Sequence, residues 1–301
     1  MRVTWLLLAA VALMASVAWP LAAEELIVCG WDEVFIIDVG ATNASPPAKI
    51  WSWRAAECPN LPEAWVPLFR TTDDCKPVGQ GRQILISSSG GAVVLVDRQT
   101  WEAVFFARAA NAHSADLLPG NRVAVAASVS DEGNRLIVFG PGTPGEELWS
   151  DELYSAHGAV WDDQRKLLWA LGDDQLRGYR LADWDGAQPR LELATRHELP
   201  EGGGHDLSPV PASPELIVTT ARHVYRFNRD RPGFQPFEKL ADLESVKGVS
   251  IHPATGRVAY VQAERPEWWS DDIGFLNPDG QLTLAGERLY KARWNAAAGQ
   301  R

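Results

Sequence analysis

The chain has 301 residues, 46% of them hydrophobic, with 14 tryptophans, 3 cysteines and a formal net charge of −11. That acidic balance excludes a nucleic-acid binder, which needs a basic footprint. Small ligands stay open, because a local basic site can sit on an acidic body.

In chain order the first element is residues 1–23, which read as a secretory signal peptide. Arg2 supplies a positive start, Trp5 to Trp19 form a short apolar stretch, and Leu21-Ala22-Ala23 offers a small-residue cleavage site before Glu24. An N-terminal anchor is the alternative, but the stretch is short for a membrane span and no later segment is apolar enough to make one. The expectation is a mature single domain over 24–301, periplasmic or secreted, monomeric, with no membrane span once the signal is removed.

Short apolar runs then recur in pairs, each pair split by a turn. They begin at Glu25 (ELIVCGWDEVFIIDV), Gln83 (QILISSSGGAVVLVD), Arg122 (RVAVAASVSDEGNRLIVF), Lys166 (KLLWALGDDQLRGYRL), Glu215 (ELIVTTARHVYRFN) and Arg257 (RVAYVQAERPEWWSDDIGFLN). Each reads as a β-hairpin, giving six. A further strand follows several of them, as in KIWSWR, AVFFAR and EELWS.

Another common element precedes most hairpins. It is led by His113, His157, His205 and Lys247, at separations of 44, 48 and 42 residues. The repeating unit is therefore a leading strand, a hairpin and an outer strand. Four antiparallel strands at a period in the forties is a β-propeller blade. The fold class expected is all-β, a six-bladed propeller. The first hairpin lacks a leading strand, and Lys291 stands 44 residues after Lys247. The C-terminal strand is thus expected to complete the first blade and remove an exposed sheet edge. A seventh blade could hide only in residues 55–82, which are rich in prolines and poor in strand signal.

The leading strands of a propeller line its central channel, so their first residues should form a ring. The expected ring is His113, His157, His205, Lys247 and Lys291, with Asp74 or Lys76 from the remaining blade. Arg293 shares a strand face with Lys291. Packing gives no reason to gather like-charged groups around a narrow channel. The ring therefore reads as a site for a small anionic molecule or an acidic carbohydrate. In an enzyme the three histidines would be the catalytic acid and base while a cation neutralises a carboxylate, as a carbohydrate lyase or hydrolase requires. In a non-catalytic binding module for a ligand or protein, the charge ring alone would suffice. Trp161 and Trp294 could stack on a sugar, and residues 55–82 could carry Trp65, Arg70 and Asp73 over the rim. The three imidazoles could instead hold a divalent metal, with Asp116 and Asp206 behind them, although the flanking cations would repel it. No nucleophile elbow, phosphate loop or dinucleotide fingerprint is present in the sequence.

Cys58 and Cys75 both fall in the proline-rich stretch and are expected to form a disulfide, while Cys29 lies inside an apolar strand and reads as a buried thiol.

The segments NAHSADLLPGNRVAVAAS, AHGAVWDDQRKLLWALG, GGHDLSPVP, VKGVSIHP and LYKARW, in that order, resemble an uncharacterised family of exported bacterial six-bladed propeller proteins. The resemblance implies the propeller fold and export; it brings no activity and assigns no catalytic residue. At the level of fold alone, the chain is also similar to histidine-centred propellers among polysaccharide lyases.

Overall fold

Strand β1 (Glu25–Gly30) alternates its side chains between two faces, and both faces are apolar. Ile27 and Cys29 pack toward the second blade, whereas Leu26 and Val28 pack toward the sixth. A strand buried on both sides belongs in a stack of sheets, and the computed structural model has that arrangement. It describes residues 24–40 and 46–295; the expected signal peptide, 1–23, lies outside them.

Six four-stranded antiparallel sheets form six blades. The first orders its strands β24 (Lys291–Trp294), β1, β2 (Glu33–Asp38) and β3 (Lys49–Trp53). The second runs β4 (Thr72–Val78), β5 (Gln83–Ser88), β6 (Ala92–Asp97) and β7 (Ala103–Arg108). The third is β8 (Ala112–Leu118), β9 (Arg122–Ala127), β10 (Arg135–Phe139) and β11 (Glu147–Glu152). The fourth is β12 (Gly158–Asp162), β13 (Leu167–Leu171), β14 (Gln175–Ala182) and β15 (Arg190–Glu198). The fifth is β16 (Asp206–Pro209), β17 (Glu215–Thr219), β18 (Val224–Asn228) and β19 (Phe234–Pro236). The sixth is β20 (Val246–Ile251), β21 (Val258–Gln262), β22 (Asp272–Leu276) and β23 (Gly280–Thr283).

The core is six apolar layers, one between each pair of neighbouring blades. Trp53 and Trp169, 1% and 2% exposed, are such filler. The C-terminal strand closes the first blade, pairing Ile27 with Arg293 and Cys29 with Lys291.

Residues 55–82 contain no extra blade. They hold two short 3-10 turns, Ala55–Glu57 and Glu63–Phe69, and then β4. Trp65 packs on Phe106, ring centroids 4.6 Å apart, so it serves the layer between the first two blades. The expected Cys58–Cys75 bridge is not formed, since all three cysteines are free thiols. The reason is placement. Cys58 faces Asn60 and the Trp101 carbonyl, whereas Cys75 sits in a channel-lining strand beside Cys29 and the Ile27 carbonyl. Among the described residues no helix is long and apolar enough to cross a membrane.

Candidate functional site

The register of the leading strands fixes which residues are equivalent. In β4 Asp73 is an extra residue between Thr72, paired with Ser88, and Asp74, paired with Ser87. His113 is the extra residue in β8 and Lys247 in β20, each at the same kind of bulge. In the other three blades the equivalent residue stands just before the strand and donates its amide to the second strand. His157 donates to Leu171, His205 to Thr219 and Tyr290 to Cys29. The ring is therefore Asp73, His113, His157, His205, Lys247 and Tyr290.

This corrects two positions. Lys291 follows the ring residue Tyr290 by one. Neither Asp74 nor Lys76 is at the rim, because connections of unequal length between blades put the equivalent position on Asp73. Of the three rim-covering candidates Trp65, Arg70 and Asp73, it is Asp73 that occupies the ring.

The ring is closely packed. His113 and His157 lie 4.3 Å apart by centroid, and His157 and His205 4.7 Å. Tyr290 stands edge-on to His113 at 6.2 Å and to His205 at 5.9 Å. Lys247 Nζ donates to His205 Nε2 at 2.7 Å, and His113 Nε2 lies 3.6 Å from an Asp73 oxygen. His113 Nδ1 donates to the Asn111 carbonyl and His157 Nδ1 to that of Ser155. A carbonyl can only accept, so both rings carry their proton on Nδ1 and keep Nε2 as an acceptor.

Burial dominates the electrostatics. It holds His113 down to about 4, helped by the charges of Lys291 and Lys247. His157 and His205 are pushed well below the usual imidazole range by burial, then by His113 and Lys247 respectively. Burial and Lys291 bring Lys247 down to about 8. Burial raises the Asp73 carboxyl to about 7, against the amide and hydroxyl of Ser89 that favour its ionised form. At neutral pH the rim is thus three neutral imidazoles, one ammonium, the neutral Tyr290 phenol and a carboxyl that titrates near that pH.

Beneath the ring lies an ionic plug. Lys291, fully buried, places Nζ 3.1 Å from Asp206 and 3.9 Å from Asp74. Arg293 donates Nε to Asp74 at 2.9 Å and a second nitrogen to Asp206 at 3.0 Å. Ser114 Oγ donates to Asp74 at 2.9 Å. Burial pushes both carboxyls up, but Arg293 and Lys291 overcome it and hold them below the usual range. Gly248 makes room: a Cβ there would lie 3.0 Å from the Lys291 side chain. Asp206 and Arg293, expected to touch ligand, are spent on each other.

Lys76 and Trp161 lie at the opposite mouth. They line a cavity of about 660 Å³ together with Arg165, Arg229 and Arg293. Its arginines are neutralised: Arg165 pairs with Asp162 and Asp230, and Arg229 with Asp162. Trp294, 4% exposed, is packed on Phe275 and His252.

The three imidazoles do not make a metal-ligand group. Among the described residues the one trio of potential ligand atoms within 4.8 Å of one another is Glu264, Asp271 and Asp272. Lys247 occupies the Nε2 of His205 that a metal would need.

Sequence reasoning placed Asp73 in a covering loop and not in the ring, and it missed Tyr290 and Trp268. Trp268 lies edge-on to Tyr290 at 5.7 Å and is 43% exposed. A signal for the first two was present. Two residues after each true ring position stands a buried apolar side chain: Cys75, Ala115, Ala159, Leu207, Val249 and Ala292. Aligning on that position gives the correct phase.

The profile of a family described as a family of unknown function (DUF6528) matches residues 33–299. A search of curated proteins found no match. Among solved structures the chain is similar to one in a nidogen/laminin complex, with TM-score 0.60 and 14% identity over 92% of this chain and 99% of that one. It is also similar to the Cps50 (Swd1) β-propeller domain of Myceliophteria thermophila, with TM-score 0.50 and 12% identity over 82% and 94% of the two chains. At such identities the likeness is one of fold.

Proposed function

The chain belongs to that family of unknown function, and we propose that, after export and removal of residues 1–23, it binds a small carboxylate-bearing ligand at the histidine rim. The observation that carries this reading is Lys247, whose ammonium rests on the neutral imidazole of His205. Among the described residues no ion pair joins Lys247 to a carboxylate, in contrast to the arginines of the opposite cavity. Lys247 and Lys291 both lower the imidazoles beside them, so the rim carries positive potential within an acidic protein. A carboxylate there gains a charge-assisted hydrogen bond from Lys247. The Nε2 acceptors of His113 and His157 suit hydroxyl donors on the same ligand.

One observation favours a second, catalytic reading. The Asp73 carboxyl, near 7, lies 3.6 Å from the Nε2 of His113, so the rim holds one group that can take or give a proton at neutral pH. On a uronic acid the ionised Asp73 carboxylate could take the proton beside the sugar's carboxylate while the C–O bond to the next sugar breaks. The leaving oxygen would take that proton back from Asp73, and an unsaturated uronate would remain.

The test starts from the gene expressed with its own residues 1–23. Export with cleavage requires an intact mass beginning at Glu24. Thermal unfolding is then followed with a panel of carboxylates, for the wild type, Lys247→Met and a His113/His157/His205 triple-alanine variant. Ligand at about 100 times Kd stabilises by about 2.7 kcal/mol through linkage, which a melting curve reads easily. The expected result is a rise in Tm that both variants lose. A rise that both variants keep would move the site away from the rim.

A further inference from the structure

Outside the ring, the same mouth carries an aromatic structure that packing alone does not account for. Trp268 stacks on Trp31 with centroids 4.8 Å apart and planes 17° from parallel. Trp269 meets Trp31 edge-on at 5.8 Å. The Arg288 guanidinium lies 4.9 Å above Trp31 and 5.5 Å from Trp269. With one face on Trp31, Trp268 remains 43% exposed.

The backbone is arranged to hold this shelf. Trp31 adopts a left-handed φ of 48° in the turn between β1 and β2, which is unfavourable for a bulky side chain. Gly30 before it allows the Arg288 carbonyl to approach; a Cβ at residue 30 would fall 1.8 Å from that oxygen. Ser270 and Leu289 exchange backbone hydrogen bonds of 3.1 and 2.7 Å, tying the Trp268 loop to the segment that leads into Tyr290. The shelf is therefore tied to the rim segment, and it abuts the rim. The Tyr290 ring has Trp268 at 5.7 Å on one side and the Lys247 ammonium at 5.7 Å on another.

A flat indole presented beside a cation is what a pyranose ring bearing an acid group needs. The C–H face of the sugar covers apolar area that otherwise stays in water, and its carboxylate reaches the ammonium. A simple aliphatic carboxylate would use the cation and leave the indole bare. Resting on the rim reading above, we propose that the ligand is a short uronic-acid oligosaccharide, with one sugar stacked on Trp268 and a carboxylate on Lys247.

Isothermal titration of the mature protein with three probes tests this: trigalacturonate, neutral galactotriose and tricarballylate, an aliphatic acid matched in charge. The wild type should bind trigalacturonate most tightly. Trp268→Ala should weaken trigalacturonate by roughly fivefold to tenfold, the scale of one aromatic contact, and leave tricarballylate within about twofold. Trp268→Phe should recover part of the loss, and Lys247→Met should weaken both acids. An unchanged trigalacturonate affinity in Trp268→Ala overturns the shelf, while Lys247-dependent binding of tricarballylate leaves the rim reading standing. Equal wild-type affinity for the two acids also overturns it. Failure of the wild type to bind either acid removes both readings together.

Discussion

Burial acts on Asp73 and on the three rim imidazoles in the same sense, against charge, yet their effects on stability run in opposite directions with pH. An imidazole that resists protonation in the folded state titrates near 6.5 when unfolded, so below that pH the unfolded chain takes up protons the folded chain refuses, and stability falls. Asp73 is the reverse. Its carboxyl titrates near 7 when folded and about 3.9 when unfolded, so its contribution is fully present below about pH 4 and is lost as pH rises through 7. Asp73→Asn should therefore be more stable than the wild type at pH 8, by on the order of 2 kcal/mol, with the difference vanishing near pH 4. Urea denaturation at the two pH values reads this. A difference that stays constant with pH would mean that burial at the rim does not raise the Asp73 carboxyl.

At the scale of elements, much of the site was legible in the sequence. Three histidines and a lysine recur at the head of the leading strand, and the structure puts all four in one ring. What the sequence could not settle by counting was phase. Spacing between blades varies with loop length, so strict periods placed Asp74 where Asp73 stands and Lys291 where Tyr290 stands. The small buried residues Cys75 and Ala292 held the correct phase, but they carry no charge and drew no attention. The same slip made Lys291 and Arg293 look like ligand contacts. They are the cations of a plug that satisfies Asp74 and Asp206. Removing one partner of such a buried set leaves the others uncompensated. Arg293→Met should cost about 3–5 kcal/mol, and Arg293→Lys less, because it keeps the charge and loses the paired geometry. Chemical denaturation of the two variants tests this, and equal, small losses would show that the plug adds little. Trp268 lay beyond sequence reasoning because its partners, Trp31 and Tyr290, come from blade one and the closing segment, far apart in the chain.

For the molecule as a whole, the six blades depend on one four-residue strand from the C-terminal end. β24 pairs with β1, supplies both plug cations, follows directly on the ring residue Tyr290, and is continued by Asn295, whose amide donates to the Glu25 carbonyl at 2.9 Å. Without it β1 becomes an open sheet edge, Asp206 loses its counter-ions, and Asp74 keeps only Lys76, 3.8 Å away. The layer between blades six and one would also lose Leu289, Ala292 and Trp294. These losses fall on one seam, so closure should be close to all-or-none. A chain ending at Arg288 should lose its cooperative thermal transition and associate through the bare β1 edge, as size-exclusion chromatography would reveal. A synthetic peptide of residues 287–295, added in excess, should restore the transition saturably, because the strand brings its register, cations and apolar side chains with it. A truncated chain that melts as cooperatively as the full one would mean that the five remaining complete blades hold the ring without it. Rescue by a peptide carrying Lys291→Met and Arg293→Met would mean that strand pairing alone closes the ring and the plug is incidental.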